Sequence, residues 1–178
     1  WGVWSEVGMA ATAAGADRAP SDDDHPPVPA THPFFDERHR DDRGVVTLTA
    51  DWPTATSWWL DEHRTAAGEA VLPGSAYPEL ARAALAELGV TRPFEIRDLT
   101  FVRPLPAPDD GAARVRVVLT PTEEGYRFET SEEVEVQTPS AGDGPAPTRN
   151  GWRVTAEATL LLQRLSAPAD RLHGGDHA

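Results

Sequence analysis

The chain has 178 residues, no cysteine and a formal net charge of −13. That length suits one ordinary domain with tails, and the acidic balance argues against a nucleic-acid binder, which needs a basic face to neutralise phosphates. The lack of cysteine removes disulfides, thiolate metal sites and a cysteine nucleophile. No apolar run approaches the ~20 residues of a membrane span, and "WGVWSEVGMAATAAG" opens without the basic segment of a signal peptide. No membrane association is expected, and a cytoplasmic location is. The chain starts with Trp rather than Met, so it is expected to be processed or cut from something larger.

Residues 1–31 are expected to be a tail or linker. "ADRAPSDDDHPPVPATHP" is rich in Pro, Asp and Ala and carries few apolar anchors. The opening "WGVWSEVGM" differs, because its Trp and Val residues suit a segment that docks on a folded surface or ends another domain. The folded region is expected over 32–163. "GVVTLTA" alternates Val46, Leu48 and Ala50 against Val45, Thr47 and Thr49, which predicts a strand. "WWLDEH" is a short apolar turn leading to His63, and "EAVLPG" is a short strand stopped by Pro73.

A helix is predicted over Ser75–Leu88. Ser75 is a suitable N-cap, and Pro78 falls in the first turn, where its missing N–H costs least. Ala76, Leu80, Ala83, Ala84 and Leu88 recur at helical spacing, and Ala81 and Leu85 widen the apolar stripe to nearly all round. Such a helix must be buried. Gly89 is a natural terminator, with Pro93 beyond it.

The rest reads as strand. "PFEIRDLTFVRPL" and "ARVRVVLTP" alternate, the latter at Val115, Val117 and Leu119. "GYRFETS" and "EEVEVQT" follow in the same manner, for four or five strands after the helix. "TPSAGDGPAPTRNG" is a loop by composition. "GWRVTAEATLLLQ" alternates Trp152, Val154, Ala156 and Ala158. Residues 164–178 are expected to be a flexible tail. One buried helix among strands of this number predicts an α+β domain in which a curved antiparallel sheet wraps the helix.

Within this frame His63 stands out. A lone histidine beside an apolar segment is more often structural than catalytic. Here it precedes a tight turn at Ala66-Ala67-Gly68 and the Pro73-Gly74 break before the helix. Gly68 can let a backbone N–H approach a ligand closely, and a helix N-terminus offers unpaired N–H groups. A base beside such donors suits proton abstraction next to a carbonyl. His63 is expected in a tunnel beside the helix N-terminus, buried against Trp58, Trp59 and Leu72. His25, His32, His39, His173 and His177 show no metal-ligand spacing, and Asp61 and Asp98 are read as solvated or structural.

"WWLDEHRTAAGEAVLPGSAYPELARAAL" resembles the first half of the dehydratase domain of modular polyketide synthases and animal-type fatty acid synthases, with "HPFF" at His32–Phe35 fitting the domain's opening. The family's pattern is His, three residues, Gly, four residues, Pro, then Gly and a helix containing Glu. His63, Gly68, Pro73, Gly74 and Glu79 supply it, although four residues separate His63 from Gly68. Either the turn absorbs the extra residue or Ala67 takes the usual glycine place. The resemblance implies a hot-dog fold, half of a double hot-dog, with His63 as catalytic base and Gly68, Pro73 and Gly74 as substrate-binding positions. It implies removal of water from a 3-hydroxyacyl chain carried as a thioester on the phosphopantetheine of acyl carrier protein, with no bound cofactor and no metal. The second catalytic residue of the family, an Asp on the helix of the second hot-dog, has no counterpart here. The partners implied are acyl carrier protein, the second hot-dog half and neighbouring synthase domains, and an apolar edge or face is expected where that second half packs. "WGVWSEVGM" is similar to the closing segment of polyketide ketoreductase domains. Glu79 also resembles the acid of stand-alone hot-dog dehydratases, which would make the chain a homodimer using His63 and Glu79. A non-catalytic docking module is the third reading.

Overall fold

The structure, a computed structural model, describes residues 26–137 and 148–163, with the side chains of Trp58 and Asp61 excepted. The segment similar to a ketoreductase terminus and the C-terminal tail lie outside the described residues. Nine strands and two helices follow in chain order among those described: β1 (Val28–Pro29), β2 (Glu37–Arg40), β3 (Val46–Pro53), α1 (Trp58–Asp61), β4 (Ala70–Val71), α2 (Ala76–Glu87), β5 (Phe94–Phe101), β6 (Pro106–Ala107), β7 (Ala112–Pro121), β8 (Gly125–Gln137) and β9 (Thr148–Leu162). β4 and β6 form a small antiparallel pair. The other strands form one antiparallel sheet in the order β1-β2-β3-β7-β8-β9-β5. The sheet reaches back to Val28, ahead of the His32 opening expected from sequence. Among the described residues no helix is long and apolar enough to cross a membrane.

The period-2 pattern sends one face of each central strand inward. Val46, Leu48, Ala50 and Trp52 of β3, Val115, Val117 and Leu119 of β7, Phe128 of β8, and Ala156, Ala158 and Leu160 of β9 are buried together. They close on α2, whose Tyr77, Leu80, Ala81, Ala83, Ala84 and Leu85 are buried in the same core. Glu79, Arg82 and Ala86 form its exposed strip. This is the curved sheet around one helix predicted above, a hot-dog fold.

Both ends of α2 carry local explanations. Ser75 does not cap with its side chain. The Ala76 N–H goes to the Pro73 carbonyl and the Tyr77 N–H to the Gly74 carbonyl, at 2.9 and 3.4 Å. Pro78, the third helical residue, has no N–H to give, so the donors a serine cap would serve are taken or missing. At the other end Gly89 adopts φ +71. Its N–H reaches the Ala86 carbonyl and that of Val90 reaches Leu85, at 2.9 and 3.0 Å, the two bonds of a Schellman termination. Glu87 points into the protein instead of solvent: its carboxylate accepts the N–H groups of Thr31, at 2.7 Å, and His32, and Arg38 donates to its carbonyl at 2.6 Å. The residues before β2 are thereby tied to the end of the helix.

One sequence expectation fails, in β9, and β8 settles the strand count. "GYRFETS" and "EEVEVQT" are one continuous strand. Opposite it, Thr130 pairs with Ala156 but Ser131 pairs with Val154, so Thr155 is an extra residue in β9. Such a bulge flips the side chains beyond it to the other face. Trp152 and Val154 therefore do not share the inner face with Ala156 and Ala158. Trp152 sits on the outer face, with the Arg116 guanidinium 4.7 Å from its ring centre. A second irregularity, at Asp98 and Leu99 of β5, places Asp98 at φ +54. β5 pairs with β9 along one side only, and Phe101 and Val102 at its end are 54% and 45% exposed.

The Thr155 bulge makes a polar seam in the core. Thr130 and Thr155 are fully buried with hydroxyls 2.8 Å apart, and Glu132 is buried against Arg153 at 2.7 Å. The Tyr77 hydroxyl lies beside Thr155 and Glu132. Burial raises its pKa above the ordinary phenol value; the Thr155 hydrogen bond opposes this and the Glu132 charge adds to it.

Two outcomes are expected. Leu80→Ala, at a position 2% exposed, should cost about 2–5 kcal/mol in chemical denaturation; Arg82→Ala, on the exposed strip, should change stability by about 0.5 kcal/mol or less. Comparable losses for the two would contradict the packing. The folded chain keeps the Tyr77 proton to higher pH than the unfolded chain does, so the contribution of this group is fully present below about pH 10 and is lost as pH rises beyond it. Denaturation midpoints taken across that range should fall less steeply for Tyr77→Phe than for the unchanged chain, and an equal fall would remove the assignment.

Candidate active site

His63 is positioned from both sides. On its N-terminal side the one-turn α1 is anchored by Leu60, fully buried, and by Trp59, whose ring meets Trp52 edge-on at 4.9 Å and Phe34 at 5.9 Å. Trp52 is held in turn by its indole N–H to the Phe34 carbonyl at 3.0 Å. The His63 N–H donates to Leu60 at 3.2 Å, and its carbonyl accepts from Val71 at 2.9 Å. Among the described residues the ring makes one directed contact: Nδ1 lies 3.0 Å from the Trp59 carbonyl. A carbonyl only accepts, so Nδ1 carries the hydrogen, and in the neutral ring Nε2 is left with the lone pair.

The turn after His63 shows what the extra residue does. Thr65 N–H bonds Glu69, and Gly68 N–H bonds Thr65, both at 2.9 Å. Ala66, Ala67 and Gly68 form a three-residue hairpin loop whose last residue is left-handed, at φ +86. The loop absorbs the added residue, and Gly68 occupies the position that needs glycine. Its N–H is spent within the turn, its carbonyl accepts from Arg64 at 2.6 Å, and nothing lies within 4 Å of where its Cβ would be.

His63, Pro73 and Gly74 come together. With Leu72, Tyr77, Phe101 and Val102 they line a cleft of about 770 Å³ at the start of α2. It is an open cleft and not the expected tunnel: His63 and Gly74 are exposed. The burial of His63 predicted from sequence is therefore absent. Leu72 lines the cleft, Trp59 serves through its carbonyl, and the Trp58 side chain lies outside the described residues. Among the described residues no hydrogen bond occupies the Gly74 N–H. Glu79 is not part of the cleft. It lies on the exposed strip of α2, where Arg82 donates to it at 2.8 Å. Asp98 is exposed in the β5 irregularity, and the Asp61 side chain lies outside the described residues. No cluster of His, Asp or Glu suited to a metal ion occurs among the described residues.

Sequence reasoning placed neither Tyr77 nor Phe101 at the site. Tyr77 was masked by the alanines around it, although it stands three residues after Gly74, one turn further on. Phe101 read as one more alternating strand residue. Its ring meets Tyr77 edge-on at 5.2 Å and comes to 3.4 Å of where a Gly74 Cβ would be.

The polyketide synthase dehydratase domain family matches residues 32–133. The polyketide synthase ThaG of Burkholderia thailandensis is 31% identical over 150 residues, 78% of this chain and 2% of its own length. The spectinabilin polyketide synthase system protein NorA' of Streptomyces orinoci is 36% identical over 100 residues, 55% of this chain and 3% of its own. The bifunctional dehydratase-cyclase domain of ambruticin biosynthesis is 26% identical with a TM-score of 0.56, covering 81% of this chain and 47% of that one. The dehydratase domain from the CurJ module of the curacin synthase is similar in fold, with a TM-score of 0.58 at 22% identity over 77% of this chain and 44% of its own. This chain thus spans under half of these structures and a few per cent of the curated synthases. On the match over residues 32–133, which takes in His63, Pro73 and Gly74, the chain belongs to the polyketide synthase dehydratase domain family.

Proposed function

We propose that this chain is the base-bearing half of a dehydratase that removes water from a 3-hydroxyacyl thioester delivered on the phosphopantetheine of acyl carrier protein. The observation that carries the reading is the hydrogen bond from His63 Nδ1 to the Trp59 carbonyl at the cleft. It leaves Nε2 as the basic nitrogen. Nε2 takes the proton from the carbon next to the thioester carbonyl. The electron pair moves onto the carbonyl oxygen, to which in this reading the Gly74 N–H donates a hydrogen bond. As the pair returns, the C3–O bond breaks and the hydroxyl leaves as water, taking a proton from an acid. The product is a 2-enoyl thioester.

The acid is not among the described residues. Glu79 pairs with Arg82 away from the cleft and has no part in this reading. The family resemblance assigns the acid to an aspartate of a second hot-dog half, the length by which the solved relatives exceed this chain. Acyl carrier protein, that second half and the adjoining synthase domains are the partners this reading requires, in the cytoplasm, with no bound cofactor.

The test is turnover of a carrier-bound 3-hydroxyacyl thioester by the full parent polypeptide. His63→Ala should lower the rate about 10²–10⁴-fold, the range of a general base, with circular dichroism unchanged. Glu79→Gln should keep the rate within about twofold, since an exposed surface substitution is close to neutral. Unchanged turnover in His63→Ala would exclude it as the base.

A further inference from the structure

The cleft has two walls built from distant parts of the chain. One is the start of α2, from Pro73 to Tyr77. The other is the end of β5 and the residues after it, Phe101 to Pro104. The main chain of this second wall is fixed, because the Thr155 carbonyl accepts the N–H groups of Val102 at 2.8 Å and Arg103 at 3.2 Å. Besides His63, the charged residues lining the cleft are Glu62, Arg64 and Arg103. Arg64 is engaged: its guanidinium lies 2.8 Å from Asp109 and 2.6 Å from the Gly68 carbonyl. Arg103 is exposed, and among the described residues no hydrogen bond or ion pair takes its guanidinium. This is so although Asp and Glu outnumber Lys and Arg in the chain by 29 to 16. The acidic surplus repels an approaching anion, and an uncommitted cation at the cleft offsets that repulsion where the substrate enters.

We propose that Arg103 is a substrate-binding residue that takes the phosphate group of the phosphopantetheine arm at the rim of the cleft. This rests on the dehydratase reading for the identity of the substrate. The thioester, the 3-hydroxyl group and the amides of the arm are neutral, so the phosphate is the one permanent charge that this substrate brings. A guanidinium meets a phosphate with two parallel N–H···O bonds. The Arg103 main chain is held while its side chain is uncommitted, so the guanidinium can follow the arm outward from the cleft. The contact is exposed and is therefore weakened by salt.

The experiment measures binding of two unreactive probes to the full parent polypeptide: the amide analogue of 3-hydroxybutanoyl-phosphopantetheine, and the same molecule without its phosphate. The unchanged protein should bind the phosphorylated probe about tenfold more tightly, the lower end for a hydrogen bond to a charged group, and added salt should narrow the gap. Arg103→Gln should bring the two affinities to within about twofold, and Arg103→Lys, which keeps the charge without the fork, should retain a gap of about threefold. Arg82→Gln removes a cation from the exposed strip of α2 at the same change in net charge and should leave the gap as it is, which separates a contact at the cleft from a change in overall charge. Equal affinities in the unchanged protein, a gap that survives Arg103→Gln, a gap that Arg82→Gln also closes, or binding of neither probe overturns the inference. A loss in Arg103→Gln confined to the carrier-bound amide overturns it too, because the side chain then meets the carrier protein itself. Turnover of the carrier-bound thioester without a gap between the probes removes this inference and keeps the dehydratase reading; the gap without turnover keeps the phosphate contact and removes that reading.

Discussion

Burying α2 is the constraint from which the rest of the structure follows. The helix has only a thin exposed strip, so the covering layer must reach most of the way round it. A flat sheet covers one side of a helix. This sheet curves, and its two irregularities, at Thr155 in β9 and at Asp98 and Leu99 in β5, lie on the two neighbouring strands that close it on the side of the cleft. Bulges are where strands bend and twist more sharply. The small side chains of Ala81, Ala83 and Ala84 let the backbone layers come close, while Leu80 and Leu85 supply the larger apolar area, at about 1.5–3 kcal/mol for each fully buried leucine.

Burial of the helix also decides where chemistry can sit. The C-terminal end of α2 is closed off: its carbonyls are used in the Schellman turn, and Glu87 ties the residues before β2 against it. The N-terminal end is left facing outward between β5 and the hairpin that follows His63, and the cleft forms there. His63 lies on that hairpin, but its ring is oriented through the carbonyl of Trp59, so its tautomer depends on the packing of Trp59 on Trp52 and Phe34. A core contact thereby sets a property of an exposed side chain.

The open character of the cleft agrees with the extent of the chain relative to its family. The chain carries a histidine and two walls of the cleft, and spans under half of the solved dehydratase structures it matches. The partly exposed Phe101 and Val102 stand at the outer strand of the sheet beside this opening.

Local information determined much of this protein. The α2 boundaries, the inward residues of β3 and β7, the glycine stop at Gly89 and the grouping of His63 with Pro73 and Gly74 were all legible, because helical spacing, strand alternation and turn chemistry act over a few residues. The failures share one cause, which is that they depend on partners distant in sequence. Alternation through Trp152, Val154, Ala156 and Ala158 is a sound strand pattern, yet its faces exchange at Thr155 because pairing with β8 leaves one residue over. Nothing local singles out Glu87, and only the chain arriving at Thr31 and His32 makes its burial favourable. Composition and period determined that one apolar helix had to be wrapped by a sheet; register and bulge position were decided by tertiary structure, because each is set by hydrogen bonds whose two ends meet only when the sheet has closed around the helix.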